Sequence, residues 1–80
     1  MEIEIGHYIL NSQQQDSPSG KNYEIHNADT CPHLPDEVHR LTLGYFTNCE
    51  LALAEARQRV PKWADQMDGC AWCCKRCHTG

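Results

Sequence analysis

The stability of this chain has to be explained by its cysteines, because there are six of them in only 80 residues. Four fall in the short stretch from Cys70 to Cys77. A chain of this length buries only roughly 60% of the surface that its unfolded form exposes, so its apolar core alone gives marginal stability. We therefore expect the cysteines to add stability that the core does not provide.

The cysteines have three alternative states. In a secreted protein they would form a disulfide framework, whereas in a reducing cytoplasm they would be metal ligands or free thiols. The chain starts with the acidic, alternating segment from Met1 to Ile5, which does not have the pattern of a signal peptide. No apolar run approaches the roughly 20 residues of a membrane-spanning helix. We therefore predict a cytoplasmic protein that does not contact the membrane, and we favour metal ligation over disulfides and free thiols.

The spacing of the last four cysteines is typical of zinc binding. They form two C-x2-C pairs, and such a pair turns two thiolates toward one point. A tetrahedral zinc ion needs four ligands, and one of them usually comes from a distant segment. Cys31 is the natural candidate, because it stands alone in a loop stiffened by Pro32 and Pro35. The predicted zinc ligands are Cys31, Cys70, Cys73 and Cys77.

Three other residues are alternatives to members of this set. Cys49 lies on a predicted apolar helix face, so we expect it to be a buried, inert thiol. Its position in the first helical turn would lower the pKa of the thiol, so metal ligation or redox chemistry is the alternative. Cys74 directly follows Cys73, and we expect it not to be a ligand because adjacent residues seldom reach the same ion. His78 is the alternative to Cys77.

Two histidines, His26 and His33, flank Cys31 in the sequence. We expect both to be loop or surface residues rather than ligands. A hydrogen bond from either ring to a metal-bound thiolate is the functional alternative.

Alternating apolar residues predict three strands, at residues 2–10, 21–26 and 41–46. The first two can pair antiparallel across a flexible polar loop at residues 11–20. Gly44 either weakens the third strand or marks a close approach of the backbone.

The helix is the element that the sequence signals most strongly. Thr47 and Glu50 have the spacing of a capping box with Thr47 as the N-cap, and Pro61 ends the helix near Val60. Apolar residues recur on one face of this helix, at Cys49, Ala52, Leu53, Ala56 and Val60. If residues 71–78 are also helical, the four C-terminal cysteines share one face.

The predicted architecture is a single small α+β domain of residues 1–80. A three-stranded, mainly antiparallel sheet is covered by the long helix. A C-terminal cysteine-rich helix is tied to the Cys31 loop by zinc.

The charge of the chain bears on whether it binds nucleic acid. The formal net charge is −4, which disfavours generic binding to the phosphates of nucleic acids. Residues 57–80 nevertheless hold five of the seven basic residues, so a nucleic-acid-binding zinc module is the alternative function. We favour a non-catalytic interaction or regulatory module with an unknown protein partner, and we expect a monomer.

No motif in the sequence predicts an enzyme. The chain has no serine nucleophile elbow, no phosphate-binding glycine loop and no HExxH zinc pair. A thiol redox or metal-sensing role for the C-x2-C pairs is a second alternative, although no thioredoxin-type βαβ pattern surrounds them.

Three segments carry a recognisable pattern, namely His26–Pro35, Leu43–Cys49 and Gly69–Thr79. They have the forms H-x4-C-x2-L-P, L-G-x-F-x2-C and G-C-x2-C-x3-C-H-T. With these motifs, nearly the whole chain from Ile5 onward resembles a family of small uncharacterised bacterial proteins rich in cysteine. That family has no established activity, so the resemblance implies no particular reaction.

A second, weaker resemblance rests on the order of Cys31, Phe46, the helix from Thr47, Cys70 and Cys73. A cysteine after a strand, a phenylalanine strand, a helix and then C-x2-C also occur in the cysteine–zinc module of the methyl-phosphotriester DNA repair protein. The second cysteine of that module is replaced here by Pro35, which argues against methyl transfer. Cys77 fits the need for another ligand.

Overall fold

A four-stranded mixed sheet and one main helix form the described part of this protein. The computed structural model describes residues 4–13 and 23–78. The strands are Gly6–Asn11 (β1), Tyr23–Asn27 (β2), Arg40–Phe46 (β3) and Met67–Gly69 (β4), and the helix is Cys49–Arg59 (α1). Short 3-10 helices lie at Glu37–His39, Pro61–Gln66 and Lys75–Cys77. The predicted α+β class is therefore confirmed.

The three predicted strands are present, with shifted ends. The sheet order is β3-β1-β2-β4, and β1 pairs antiparallel with both β2 and β3. β1 runs on through Asn11, which was expected in the polar loop, and it begins at Gly6. Residues 1–3 of the first predicted strand, residues 14–20 of the predicted loop, and residues 21 and 22 of the second predicted strand lie outside the described residues.

Gly44 is required by a bulge in β3. The register between β1 and β3 shifts between Tyr8 and Ile9, and Gly44, which pairs with Tyr8, has a φ of +123°. A side chain disfavours that backbone conformation, which glycine adopts without steric cost. The irregularity that the sequence indicated at this position is therefore a bulge, which adds local twist to the edge of the sheet.

Helix α1 begins one residue later than predicted. Its N-cap is Asn48, whose side-chain oxygen accepts a hydrogen bond from the Leu51 N–H at 3.0 Å, so the prediction of Thr47 as the cap is wrong. Asparagine satisfies an unpaired N–H of the first turn at least as well as threonine does. The helix ends at Arg59, and Val60 and Pro61 follow it as expected.

One face of α1 packs on the sheet to form the core. The buried helix residues are Cys49, Ala52, Leu53 and Ala56, as the apolar periodicity predicted. They join the buried strand residues Tyr8, Leu10, Ile25 and Leu43 in one cluster.

Two elements of the C-terminal third differ from the prediction. Met67–Gly69, which was not predicted as a strand, forms a fourth strand parallel to β2, so the sheet is mixed and not three-stranded. Residues 71–78 do not form a regular helix: turns lead into the 3-10 helix Lys75–Cys77. Asp and Gly have low strand propensity, so the pairing with β2, and not local sequence, makes Met67–Gly69 a strand.

The described ranges contain no helix with both the length and the apolar composition that crossing a membrane requires.

The position of the helix cap gives a direct test of this fold. Asn48→Ala should lower the free energy of unfolding by about 1 kcal/mol, because the Leu51 N–H loses its acceptor. Thr47→Ala is the matched control and should cost less than about 0.5 kcal/mol, since Thr47 is exposed. Urea denaturation of both variants measures the difference. A larger loss in Thr47→Ala would contradict the cap seen here.

Candidate metal centre

Strand β4 brings the C-terminal cysteines to the end of β2. Met67–Gly69 pairs in parallel with Tyr23–Ile25. The ladder continues one step further, because the Cys70 N–H donates to the carbonyl oxygen of Ile25 at 3.0 Å. Cys70 therefore lies beside His26, the next residue of β2.

The turn that follows β2 brings Cys31 back to the same place. The N–H groups of Thr30 and Cys31 donate to the carbonyl oxygen of Asn27, at 3.2 and 2.9 Å. The Asn27 side chain accepts from the Asp29 N–H at 3.0 Å, which tightens the turn further. Residues from two distant parts of the sequence thus meet at one end of the sheet.

Four potential metal ligands converge there, and we call them the Cys3His cluster: His26, Cys31, Cys70 and Cys73. One ligand atom from each lies within 4.8 Å of the other three. The Cys31 and Cys70 sulfurs are 3.9 Å apart, and His26 Nδ1 is 3.4 Å from the Cys31 sulfur. Three thiols and one imidazole at these separations can hold a metal ion.

Each sulfur of the cluster accepts a hydrogen bond from a backbone N–H. Asn27 donates to Cys73 at 3.3 Å, His33 to Cys31 at 3.4 Å, and Trp72 to Cys70 at 3.4 Å. Backbone donors aimed at sulfur stabilise the negative charge of a thiolate, which is the form that binds metal. The fold therefore supplies electrostatic support to all three sulfurs.

His26 is the residue of the cluster that the sequence did not predict as a ligand. Its side chain lies within the fold, only 3% exposed, where a surface or loop position was expected. Its Nε2 atom is buried and has no hydrogen-bond partner among the described residues. The H-x4-C spacing of His26 and Cys31 was the signal that could have pointed to it.

Burial and mutual contact disfavour free thiolates in the cluster. Burial raises the pKa of Cys31, and the Cys73 thiol together with burial raises the pKa of Cys70 to about 11. The contact with Cys70 lowers the pKa of Cys73, but contact with Cys74, burial and Cys31 outweigh it, and the net shift is upward. At neutral pH the cluster without a cation therefore holds thiols, and a metal ion would displace their protons.

Gly69 permits the close packing of the C-terminal segment. A β-carbon at this position would lie 2.7 Å from the carbonyl oxygen of Cys74 and 2.7 Å from the β-carbon of Cys77. Both distances are too short for a real contact, so a larger residue would push this segment away from β4.

Cys77 does not lie with the other three predicted ligands. Its sulfur forms a disulfide with Cys49, with a Cα–Cα distance of 6.4 Å. The expected helix would have presented all four cysteines on one face, but the 3-10 helix Lys75–Cys77 turns Cys77 toward the start of α1. Cys49 is buried as predicted, in a bonded state and not as a free thiol. The other four cysteines are free.

Ion pairs hold the same segment against α1. Arg76 contacts Glu4 at 2.9 Å and Glu50 at 3.0 Å. Glu4 also accepts a hydrogen bond from the Cys49 N–H at 3.4 Å, at the start of the helix. The disulfide and these contacts fix the position from which Cys70 and Cys73 reach the cluster.

The remaining candidates lie outside the Cys3His cluster. Cys74 is buried, with its sulfur 3.8 Å from that of Cys73. His33 is exposed and lies against Trp72, with the ring centroids 4.6 Å apart. His78 contacts Asp68 at 3.2 Å and forms a second group of potential ligands with Asp68 and Glu24.

No protein-family model, curated protein or solved structure matches this chain. The two resemblances noted from the sequence therefore stay predictions, and the site is interpreted from its own geometry.

Removal of the disulfide should lower the stability of the protein by a measurable amount. Without reductant, Cys77→Ser should lower the free energy of unfolding by about 3 to 4 kcal/mol, because the bond closes a loop with a sequence separation of 28. Cys74→Ser is the matched control: it buries the same hydroxyl without breaking a bond and should cost about 1 kcal/mol. Urea denaturation of both variants measures the difference.

Reductant supplies the second arm of this test. It should bring the stability of the parent protein close to that of Cys77→Ser and leave the variant nearly unchanged. Equal stabilities of the parent and Cys77→Ser without reductant would contradict the pairing of Cys49 with Cys77.

Proposed function

We propose that this protein is a non-catalytic zinc-binding domain that serves as an interaction or regulatory module. One Zn²⁺ ion is held by His26, Cys31, Cys70 and Cys73. The ion links the end of β2 and its following turn to the segment after β4, so its role is to fix the surface that these parts form.

The backbone hydrogen bonds to the three sulfurs carry this proposal. A neutral thiol gains little from such donors, whereas a metal-bound thiolate is stabilised and oriented by them. All three sulfurs have a donor, at 3.3 to 3.4 Å, and the three donors come from separate residues. This arrangement is what a structural metal site needs around its ligands.

The donor set favours zinc. Three sulfurs and one imidazole nitrogen form one of the usual tetrahedral zinc shells. Four protein ligands fill such a shell and leave no position for a water molecule or substrate. We therefore propose that the ion stabilises the fold and performs no catalysis.

A protein partner fits the surface charge better than nucleic acid does. Arg76 is paired with two glutamates, and Arg59 contacts Glu55 at 2.6 Å and the backbone of β3. Lys62 lies 5.3 Å from the centre of the Trp63 ring. These cations of the basic C-terminal part are engaged within the chain, so we favour a protein partner over nucleic acid.

Metal content is the primary test of this function. Protein purified under reducing conditions should carry about one zinc ion per chain, as measured by native mass spectrometry. A strong chelator should remove the ion and lower the thermal stability by many degrees, because metal binding is coupled to folding in small domains. Circular dichroism and amide dispersion in NMR spectra report that loss.

Two other results of the same experiment would count against this proposal. A chain that carries no metal and whose mass shows three disulfides would contradict the zinc proposal. A chelated chain that keeps its full stability would show that the core is self-sufficient, and it would favour a redox or sensing role for the thiols.

The identity of the ligands is the second test. His26→Ala should weaken zinc binding by about 10-fold or more, and His26→Cys should largely restore it, because a fourth thiolate also completes a tetrahedral shell. His33→Ala is the control, since His33 is exposed and outside the cluster. The absorption spectrum of the Co²⁺-substituted protein distinguishes three sulfur ligands from four.

Cysteine variants complete the ligand test. Cys31→Ser, Cys70→Ser and Cys73→Ser should each lose the metal, whereas Cys77→Ser and Cys74→Ser should keep it. Loss of metal in Cys77→Ser with retention in His26→Ala would instead support the four-cysteine set inferred from the sequence.

A further inference from the structure

A pocket of about 370 Å³ opens beside the Cys3His cluster. We call it the Trp72 pocket. It shares His26 and Cys70 with the cluster, and its other walls include Asn11, Glu24, His33 and Trp72. Its volume lies within the range of sites that bind small molecules or single side chains.

One wall of the Trp72 pocket is aromatic and exposed. Trp72 is 64% exposed although it stands between two residues of the metal cluster. Its ring lies against that of His33, which limits the orientations available to the indole. A large aromatic ring that is held in place and still exposed to solvent is typical of a contact point for a partner.

An acidic side chain also forms part of the lining of the pocket. Glu24 lines it, and the carboxylate of Asp68 and the imidazole of His78 lie within 4.8 Å of the Glu24 carboxylate. None of the described residues that line the pocket is a lysine or arginine. The chain as a whole carries a formal net charge of −4, which adds to the attraction for a cation.

We propose that the Trp72 pocket binds an arginine side chain of a partner protein, with the guanidinium stacked on the Trp72 indole and its N–H groups donated to Glu24. This inference rests on the proposed function, because the metal ion holds the Cys70–Cys73 turn that carries Trp72. It extends that function by assigning a chemical class to the partner.

A guanidinium matches these walls better than other cations do. It is flat, so it can stack on an indole face, and its N–H donors can pair with both oxygens of a carboxylate. An ammonium group is a compact, strongly hydrated charge. It can pair with the carboxylate, but it is not flat and cannot stack on the indole as a guanidinium does.

A short peptide with one arginine tests the proposal, with the citrulline peptide as its neutral isostere. The zinc-loaded chain of 80 residues is titrated with acetyl-Gly-Gly-Arg-Gly-Gly-amide and followed by the NMR signal of the Trp72 indole N–H. The variant Trp63→Phe assigns that signal. We expect saturable shifts at Trp72 and Glu24, and binding of the citrulline peptide weaker by about 10-fold or more.

Variants locate the binding to the two walls. Glu24→Gln should weaken arginine binding by about 10-fold, whereas Glu37→Gln, which removes the same charge outside the pocket lining, should change it by less than about 2-fold. Trp72→Ala should abolish binding, and Trp72→Phe should restore part of it. Equal binding of the citrulline peptide, or equal effects of the two glutamate variants, would overturn the proposal.

Two further results would also overturn it. The first is saturable binding of a nucleoside monophosphate in the pocket together with no response to arginine. The second is the absence of any change in the NMR signal of Trp72 at millimolar concentrations of the peptide. Zinc content is measured on every sample, so these failures are distinct from failure of the metal proposal. A parent protein that carries no zinc would refute the metal centre, whereas a zinc-loaded protein that ignores arginine refutes only this inference.

Discussion

The parallel pairing of β4 with β2 is the interaction on which the arrangement of the cysteines depends. It involves only Met67–Gly69 and Tyr23–Ile25, yet it joins parts of the chain that are more than forty residues apart. Cys70 continues the pairing through its backbone N–H and thereby reaches the side of His26. Burial supports so short a strand: Met67 is almost fully enclosed, and nearby Trp63 stacks on Tyr23 with the ring centroids 4.0 Å apart. Without that pairing Cys70 would not be held beside His26.

Beyond β4, the disulfide and the proposed metal site involve different cysteines of one short segment. Cys70 and Cys73 face the end of β2, where we propose a zinc ion, and Cys77 is bonded to Cys49 at the start of α1. The separation has a simple cause, because residues 71–77 form turns and not a regular helix, and turns send successive cysteines in different directions. The proposed metal binding and the disulfide would therefore stabilise different contacts of the same segment and would not compete for the same sulfurs.

The proposed binding function is tied to the same architecture. Trp72 stands between Cys70 and Cys73, so an ion held by these two residues would also set the direction of the indole. His26 and Cys70 belong both to the cluster and to the adjoining pocket. A structural ion at this place would do more than add stability to a small core, because it would hold an aromatic side chain in the solvent. Such preorganisation reduces the entropy that binding costs.

The sequence by itself determined the elements that local chemistry controls. Alternating apolar residues predicted three strands, and the apolar face of α1 and its end before Pro61 followed from helical periodicity and proline chemistry. The C-x2-C spacing placed Cys70 and Cys73 together. Cys31 was singled out because it stands alone in a proline-rich loop.

Tertiary structure alone decided the rest. Met67–Gly69 is a strand only because β2 offers it a partner, and Cys77 pairs with Cys49 only because a 3-10 turn points it toward α1. His26 joins the cluster because β2 and β4 lie side by side. Spacing within a segment constrains which side chains share a face, whereas the meeting of two distant segments depends on how the whole chain packs.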